Sequence, residues 1–168
     1  MSSVRFFGKS SVFQKSRFDG PGRLSIDRGV SRCGHRGCKL CQDIIEEDSI
    51  FFEKAGFKFH NKTKMDCLAR NVIYAIWCRG CNKNYIGETV SLRERMGSHR
   101  SNSKDLTRAN MEISRHLWSC GQGFKVWPLL KVKEDCKILR LVMEDELMKL
   151  LKPDLNADRR NLLHLHLQ

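Results

Sequence analysis

Several cysteines of this sequence have the spacing of metal ligands. Cys33, Cys38 and Cys41 lie within nine residues of one another, and thiolates at such spacings typically bind zinc, which needs a fourth ligand. Cys67 is the preferred fourth ligand and His60 is the second choice. The alternative is a set of three buried thiols that bind no metal.

A second group begins with Cys78 and Cys81, which are separated by two residues. That spacing alone does not distinguish a zinc knuckle from a redox pair. His116 and Cys120 lie four residues apart in a predicted helix and so share one face. Together the four side chains predict a tetrahedral zinc site. The alternative is a core histidine with unrelated thiols.

A third set of residues has side chains that suit phosphodiester hydrolysis. Tyr74 and Tyr85 are the only two tyrosines, and Arg95 and His99 lie on the helix predicted just after them. Glu144 lies near the apolar side of a later helix, where a carboxylate is costly to bury without a cation. If these groups converge, the carboxylate can hold a divalent metal ion, the arginine can neutralise phosphate charge, and a base can activate water. The alternative is two strand aromatics and a solvated helix face.

The composition favours a polyanionic partner. The formal net charge of the 168-residue chain is +12, which is typical of proteins that bind nucleic acid and less often of proteins on anionic membranes. A basic surface with no such partner is the alternative. No apolar run reaches the roughly 18 residues of a membrane span, and the N-terminus lacks a signal-peptide core. We therefore expect a nuclear or intracellular protein that is not secreted, and its reducing compartment favours metal binding over disulfides.

The chain is predicted to consist of four segments. Residues 1–30 are basic and rich in serine and glycine, which predicts a flexible arm or linker that contacts phosphates. Residues 31–68 are predicted to form a cysteine-rich zinc module. Residues 69–160 hold the tyrosines and Glu144 and form the predicted catalytic domain, and residues 161–168 form a C-terminal tail.

The strands that must position these residues follow from short β-rich runs. Ser49 to His60 predicts a hairpin in the zinc module, and Asn71 to Trp77 with Asn84 to Glu88 predicts a second hairpin that carries the CxxC at its tip. Phe124 to Val132 alternates like a strand. Because Pro128 cannot donate to a ladder, that strand should be an edge or bulged strand.

Three helices are predicted around these strands. The first runs from Leu92 to about Ser101 and begins with the capping pattern of Ser91 to Glu94. The second runs from Lys104 to Cys120, and its residues available for burial are Met111, Ile113, Leu117 and Trp118. The third starts after Asp135 and reaches Lys152, where Pro153 stops it. The fold class is therefore α+β: a small core of a β-hairpin, two helices, an edge strand and a C-terminal helix, with an N-terminal zinc module.

The order of these motifs resembles the GIY-YIG endonuclease superfamily. The motifs VIY, YIG and LRER are followed by His99, then Glu144 and the segment LKPDLN, so the resemblance covers residues 71–156. Cysteines between the two tyrosine motifs, the upstream cysteine-rich stretch and the segment RHLWSC resemble the endonuclease domain of Penelope-like retroelements. Two departures are Val72, where the first motif has glycine, and Cys120, which stands closest to a second histidine of the relatives.

The resemblance implies a role for each site residue. Tyr74 would activate the attacking water, Tyr85 would orient water or phosphate, and Arg95, which matches the family arginine better than Arg93, would contact the phosphate. His99 would lie near the scissile phosphate, and Glu144 would bind one Mg²⁺ or Mn²⁺ ion. Asn156 would support the site.

We therefore expect a metal-dependent DNA endonuclease with two structural zinc ions. The chain would be either a domain excised from a Penelope-like retroelement or a domesticated copy of that domain. DNA is the expected partner, and the basic arm and the arginine-rich helix would bind it. A reverse transcriptase domain or RNA of the same element is a further expected partner. The first alternative is a zinc-dependent nucleic-acid-binding module that does not cleave. The second is a thiol oxidoreductase that uses Cys78 and Cys81.

Overall fold

The computed structural model describes residues 29–156, so the predicted C-terminal tail and nearly all of the predicted basic arm lie outside it. Within this range the first strands belong to the cysteine-rich segment: β1 (Gly29–Val30), β2 (Ser49–Phe52), β3 (Phe57–His60) and β4 (Lys64–Met65). Strands β2 and β3 pair antiparallel, as the sequence predicts for this region. β1 pairs with β4 in parallel and so closes the segment into one unit.

A three-stranded antiparallel sheet follows, formed by β5 (Arg70–Cys78), β6 (Asn84–Ser91) and β7 (Phe124–Lys131) in the order β6-β5-β7. Residues 72–78 of β5 are all buried. A continuous apolar run is what a strand covered on both faces requires. Strand β6, which the sequence predicts to end at Glu88, instead continues to Ser91.

The outer strand β7 accommodates its proline at an irregularity. Tyr74 of β5 lies opposite Pro128, while the preceding Ile73 lies opposite Leu130, so Leu129 bulges out of the ladder. The side-chain amide of Asn61 donates to the carbonyl of Pro128 at 3.0 Å. The bulge therefore lies beside Tyr74, at an edge strand, where the sequence places it.

Three α-helices pack around the sheet: α1 (Leu92–Asn102), α2 (Glu112–Cys120) and α3 (Lys137–Leu151). Helix α3 packs on β5 and β6, and α1 packs on α2 and the sheet. Lys152 ends α3 in a left-handed conformation with φ of 49°, and Pro153 follows it. The α+β class expected from the sequence is confirmed. None of the described helices is long and apolar enough to cross a bilayer.

The helix predicted from Lys104 to Cys120 is wrong in its first half. Residues 106–108 form a separate 3₁₀ turn, which the carboxylate of Asp105 caps by accepting from the N–H of Thr107 at 2.9 Å. Side chains of this kind compete with helix formation because they satisfy backbone donors locally. Trp118 is 45 % exposed and not a core residue.

The capping pattern predicted for α1 is also wrong, although the helix does begin at Leu92. The Ser91 side chain caps no helical N–H. Ser91 instead ends β6 opposite Arg70, and the N–H of Leu92 donates to the carbonyl of Ala69 at 3.1 Å. The end of the sheet therefore fixes the start of α1.

Candidate active site and metal centres

The hydroxyl of Tyr74 is the meeting point of the candidate active site. It lies 2.9 Å from Nε2 of His99 and accepts from Nε of Arg95 at 3.2 Å. Arg95 and His99 lie one turn apart on α1, so one helical face presents both to the strand. Tyr74 and His99 are buried, while Arg95 is partly exposed. These three predicted residues therefore form one hydrogen-bonded group.

The direction of one of these hydrogen bonds is fixed by its donor: a guanidinium can only donate, so the Tyr74 oxygen accepts from Arg95. The direction of the other bond depends on the tautomer of His99. We assign the tautomer protonated at Nδ1, in which Nε2 accepts the proton of the phenol. Burial, and then the neighbouring Tyr85, raise the pKa of Tyr74 far above its usual range, against the opposing effect of Arg95. The phenol is therefore protonated at neutral pH.

Gly87 explains how two tyrosines fit in so small a space. It lies opposite Tyr74 in the ladder, and a Cβ added to it would lie 2.5 Å from the Tyr74 hydroxyl and 2.9 Å from Cε1 of Tyr85. Only glycine allows this approach. Gly87 was not among the predicted site residues, although a glycine inside a strand signals such a contact.

The second tyrosine borders the same group. The Tyr85 ring lies edge-on to His99, with 6.1 Å between the ring centroids, and the Tyr74 ring makes a similar contact at 6.0 Å. Tyr85 is buried. His99 is therefore held between the rings of both tyrosines.

Glu144 lies on α3, close enough to Tyr74 for its charge to act on that phenol. Glu144 is only 3 % exposed, and its negative charge is one of the causes that raise the pKa of Tyr74. Magnesium takes oxygen ligands, keeps several waters and often uses only one or two carboxylates. A single buried carboxylate beside the Tyr74 group therefore fits a hard divalent cation.

Asn156 follows α3 in the chain and bonds to the backbone of β6, the strand that carries the YIG motif. Its Oδ1 accepts from the N–H of Ile86, and its Nδ2 donates to the carbonyl of the same residue, both at 2.8 Å. These two hydrogen bonds fix the backbone of β6 between Tyr85 and Gly87. Asn156 thus supports the site by holding a strand.

Arg140 is a buried residue that the sequence analysis missed. It lies one turn before Glu144 on α3 and donates to Oε2 of Glu88 at 2.9 Å, to Oδ1 of Asp135 at 2.8 Å and to Oδ1 of Asn71 at 3.1 Å. These bonds tie α3 to both strands of the catalytic hairpin. The sequence did contain a signal for it: Arg140 lies four residues before Glu144, so both fall near the apolar face of the same predicted helix.

The first cysteine group is gathered as a four-sulfur cluster of Cys33, Cys38, Cys41 and Cys67, whose sulfur atoms all lie within 4.8 Å of one another. The sulfur of Cys41 is 3.6 Å from those of Cys33 and Cys67. Zinc–sulfur bonds of about 2.3 Å place tetrahedral ligands about 3.8 Å apart. His60, the other predicted fourth ligand, lies on β3 opposite Ser49 and outside this cluster.

The environment of this cluster acts differently on two of its thiols. Burial acts to raise the pKa of Cys38, but hydrogen bonds from Cys41, Cys33 and Leu40 outweigh it and lower the pKa to about 6. Burial raises the pKa of Cys67 above its usual range. A cation bound to all four sulfurs would offset the cost of ionising Cys67.

The second group brings together Cys78, Cys81, His116 and Cys120, with ligand atoms within 4.8 Å of one another. The Cys81 sulfur is 3.2 Å from Nε2 of His116. Burial, and then the charge of Lys83, lower the pKa of His116, which favours the neutral ring that binds zinc. Both groups can therefore hold a zinc ion.

A glycine in the knuckle makes room for the last ligand of the second group. A Cβ added to Gly80 would lie 2.6 Å from the sulfur of Cys120 and 3.0 Å from Cγ of Gln122. The close approach of Cys120 therefore requires a residue without a side chain between Cys78 and Cys81.

Comparison with known proteins gives one result for the catalytic segment. The model of the GIY-YIG catalytic domain matches residues 70–156, just over half of the chain. No curated protein and no solved structure matches the chain.

Proposed function

Since the chain belongs to the GIY-YIG catalytic domain family, which is a family of nucleases, we propose that it is a metal-dependent endonuclease that nicks DNA. The observation that carries this proposal is the Tyr74 hydroxyl, held between Nε of Arg95 and Nε2 of His99. That arrangement provides a route for one proton away from an attacking water. The predicted roles of the other site residues follow from their positions around it.

In the proposed reaction, water attacks phosphorus and gives its proton to the Tyr74 oxygen while the phenol passes its own proton to Nε2 of His99. No free phenolate is needed, which suits a phenol whose pKa is raised by burial. The water oxygen forms the new P–O bond, and the leaving deoxyribose oxygen takes the electron pair of the P–O bond that breaks and is then protonated by solvent. His99 holds the transferred proton as an imidazolium.

Arg95 has two tasks in this scheme. Its Nε stabilises the Tyr74 oxygen during the proton transfer, and its Nη2 is steadied by Sδ of Met111 at 3.4 Å. Since the guanidinium is partly exposed, it can also contact a phosphate oxygen, where charge increases in the transition state. It is the predicted phosphate ligand of the site.

Glu144 would hold the single Mg²⁺ or Mn²⁺ ion. When bound, such an ion polarises a phosphate oxygen and neutralises negative charge in the transition state. Arg140 and its partners would keep α3, and with it the Glu144 carboxylate, at a fixed distance from β5 and β6.

The two cysteine groups would each hold one structural zinc ion. Each offers four ligands, and a site closed by four protein ligands leaves no position for substrate. One zinc ion would join α2 to the tip of the catalytic hairpin, and the other would tie the cysteine-rich segment together.

A finer assignment rests on the resemblance described above. We propose that the chain is the endonuclease part of a Penelope-like retroelement, or a domesticated copy, which acts on nuclear DNA. The cysteines between Tyr74 and Tyr85 and the segment that ends at Cys120 support this, because they supply the four ligands of one zinc site. A reverse transcriptase domain or RNA of the same element would be a further partner.

Nicking of supercoiled plasmid in Mg²⁺ or Mn²⁺ tests the activity. We expect the wild-type chain to produce open circles and Glu144→Gln to lose at least about a hundredfold in rate, because the metal ligand is removed. Glu146→Gln on the same helix is the matched control, since its side chain is exposed. Glu144→Gln that nicks at the wild-type rate would contradict the mechanism, and DNA binding without nicking by the wild type would favour a binding module.

A further inference from the structure

A groove of about 300 Å³ separates the loop of residues 35–40 from the outer face of α1. None of the described residues that line it is acidic, and they include His35, Arg36, Lys39, Arg93, Gly97 and Arg100. Four of these carry a full positive charge at neutral pH. A concave surface with this charge attracts a polyanion more strongly than a flat one.

The groove lies on a different face of α1 from the active site. Arg93, Gly97 and Arg100 are spaced by four and three residues and therefore share one face. Arg95 and His99 share another face, which turns to Tyr74. An α-helix with its side chains is about 10–12 Å wide, so the groove is about one helix width from the Tyr74 hydroxyl.

Gly97 forms part of the groove without serving the fold. A Cβ added to it would find nothing within 4 Å, and its φ is not in the left-handed region. Glycine in a helix interior costs about 1 kcal/mol relative to alanine. Neither packing nor backbone conformation requires a glycine at position 97. A glycine does keep the floor of the groove open, so that a ligand can approach the helix closely.

Both walls of the groove are fixed by contacts below it. Arg100 donates to the carboxylate of Asp43 and to the carbonyl of Lys39 at 3.1 Å, so it joins α1 to the loop. Arg93 donates to the sulfur of Cys33 at 3.4 Å. The first cysteine cluster therefore sets the shape of the loop wall, while Arg36 remains exposed.

We propose that this groove is a second phosphate site, which binds the DNA backbone a few nucleotides from the phosphate that is cleaved. The proposal rests on the proposed function, because DNA is its ligand. It gives the cysteine-rich segment a direct part in substrate binding. Arg36 and Lys39 on the loop and Arg93 on the helix would contact phosphate oxygens, and Gly97 would let the strand approach the helix backbone.

Fluorescence anisotropy with a DNA duplex, measured over a range of salt concentrations, tests the groove. Arg36→Ala should reduce the slope of log K against log salt by about 0.9, the value for one phosphate contact. Lys58→Ala, an exposed lysine on β3, is the charge-matched control and should keep the wild-type slope. An Arg36→Ala slope equal to that of the wild type would overturn the proposal.

Substitutions at Gly97 separate size from charge. Gly97→Glu should weaken DNA binding at least about tenfold, because it places a carboxylate among phosphate-binding cations, and Gly97→Gln should weaken it less. Gly97→Ala should weaken binding least of the three, because its added group is a single methyl that meets no protein atom, and it should unfold at the same or a higher temperature, which controls for helix stability. Wild-type affinity in Gly97→Glu would refute the groove.

The same samples distinguish this proposal from the nuclease proposal. The nicking rate of the wild-type chain at saturating DNA is measured beside its salt slope, because the groove does not touch the reacting atoms. A wild-type chain that binds DNA without nicking would refute the nuclease activity and leave the groove to be judged by the salt slopes. A wild-type chain that does not bind DNA would overturn the groove.

Discussion

Gly87→Ala should damage the active site without removing any of its side chains. The added Cβ would lie 2.5 Å from the Tyr74 hydroxyl, against an ordinary contact of at least 3.4 Å. The difference between the two distances means that the phenol must move by about 0.9 Å, and both tyrosine rings are buried. A shift of that size stretches the hydrogen bonds of Tyr74 to His99 and Arg95 beyond useful length.

The expected magnitude follows from these contacts. Overpacking of a well-packed core costs about 1–3 kcal/mol, and a weakened hydrogen bond to a charged donor adds about 1.5–3 kcal/mol. Gly87→Ala should therefore lower the free energy of unfolding by about 2.5–6 kcal/mol. Displacement of a catalytic group by about 1 Å should also reduce the nicking rate by about a hundredfold.

Urea unfolding and plasmid nicking measure the two effects separately. Gly97→Ala is the matched control, because its Cβ meets no other atom within 4 Å; it should be as stable as the wild type or more stable, and fully active. Gly87→Ala with the stability and nicking rate of the wild type would show that the two tyrosines are not confined as described.

Three further predictions concern other parts of the site. Asn156→Ala leaves the buried N–H and carbonyl of Ile86 without their partner, so urea unfolding should show a loss of about 2–6 kcal/mol; a loss below about 1 kcal/mol would contradict the clamp. Gly80→Ala should lower the zinc content by one ion per chain, because its Cβ collides with the sulfur of Cys120, and an unchanged content by metal analysis would contradict this. Burial raises the pKa of Tyr74, so its stabilising effect is complete below the unfolded-state pKa of about 10 and is lost as the pH rises further. Wild type should therefore lose stability relative to Tyr74→Phe only above about pH 10, and ultraviolet titration reports the site alone because the chain has only two tyrosines; ionisation of both at the ordinary pKa in the folded chain would contradict it.

Local spacing in the sequence predicted much of the architecture. Short β-rich runs located the hairpin strands, and Pro128 located the edge strand with its bulge. Cysteine spacing indicated two ligand groups, and the structure gathers the eight preferred side chains into two groups. These features depend on residues close in sequence or on the strict chemistry of a metal ligand. The boundaries of the four predicted segments stay predictions.

What the sequence did not reveal depends on contacts between distant residues. Gly87 matters because of a ring thirteen positions earlier in the chain, and Arg140 matters because its partners lie on three other segments. The helix predicted from Lys104 failed because one carboxylate caps a short turn locally. Composition and periodicity do not report such contacts.

The most direct test of the proposed mechanism is single-turnover cleavage by Tyr74→Phe at saturating DNA. This substitution removes one oxygen and with it the hydrogen bonds to Arg95 and His99, while the ring that fills the core remains. We predict a loss of about 10²–10⁴ in the cleavage rate, the range for general acid–base groups, with unchanged DNA affinity. Cleavage by Tyr74→Phe at the wild-type rate would contradict the mechanism.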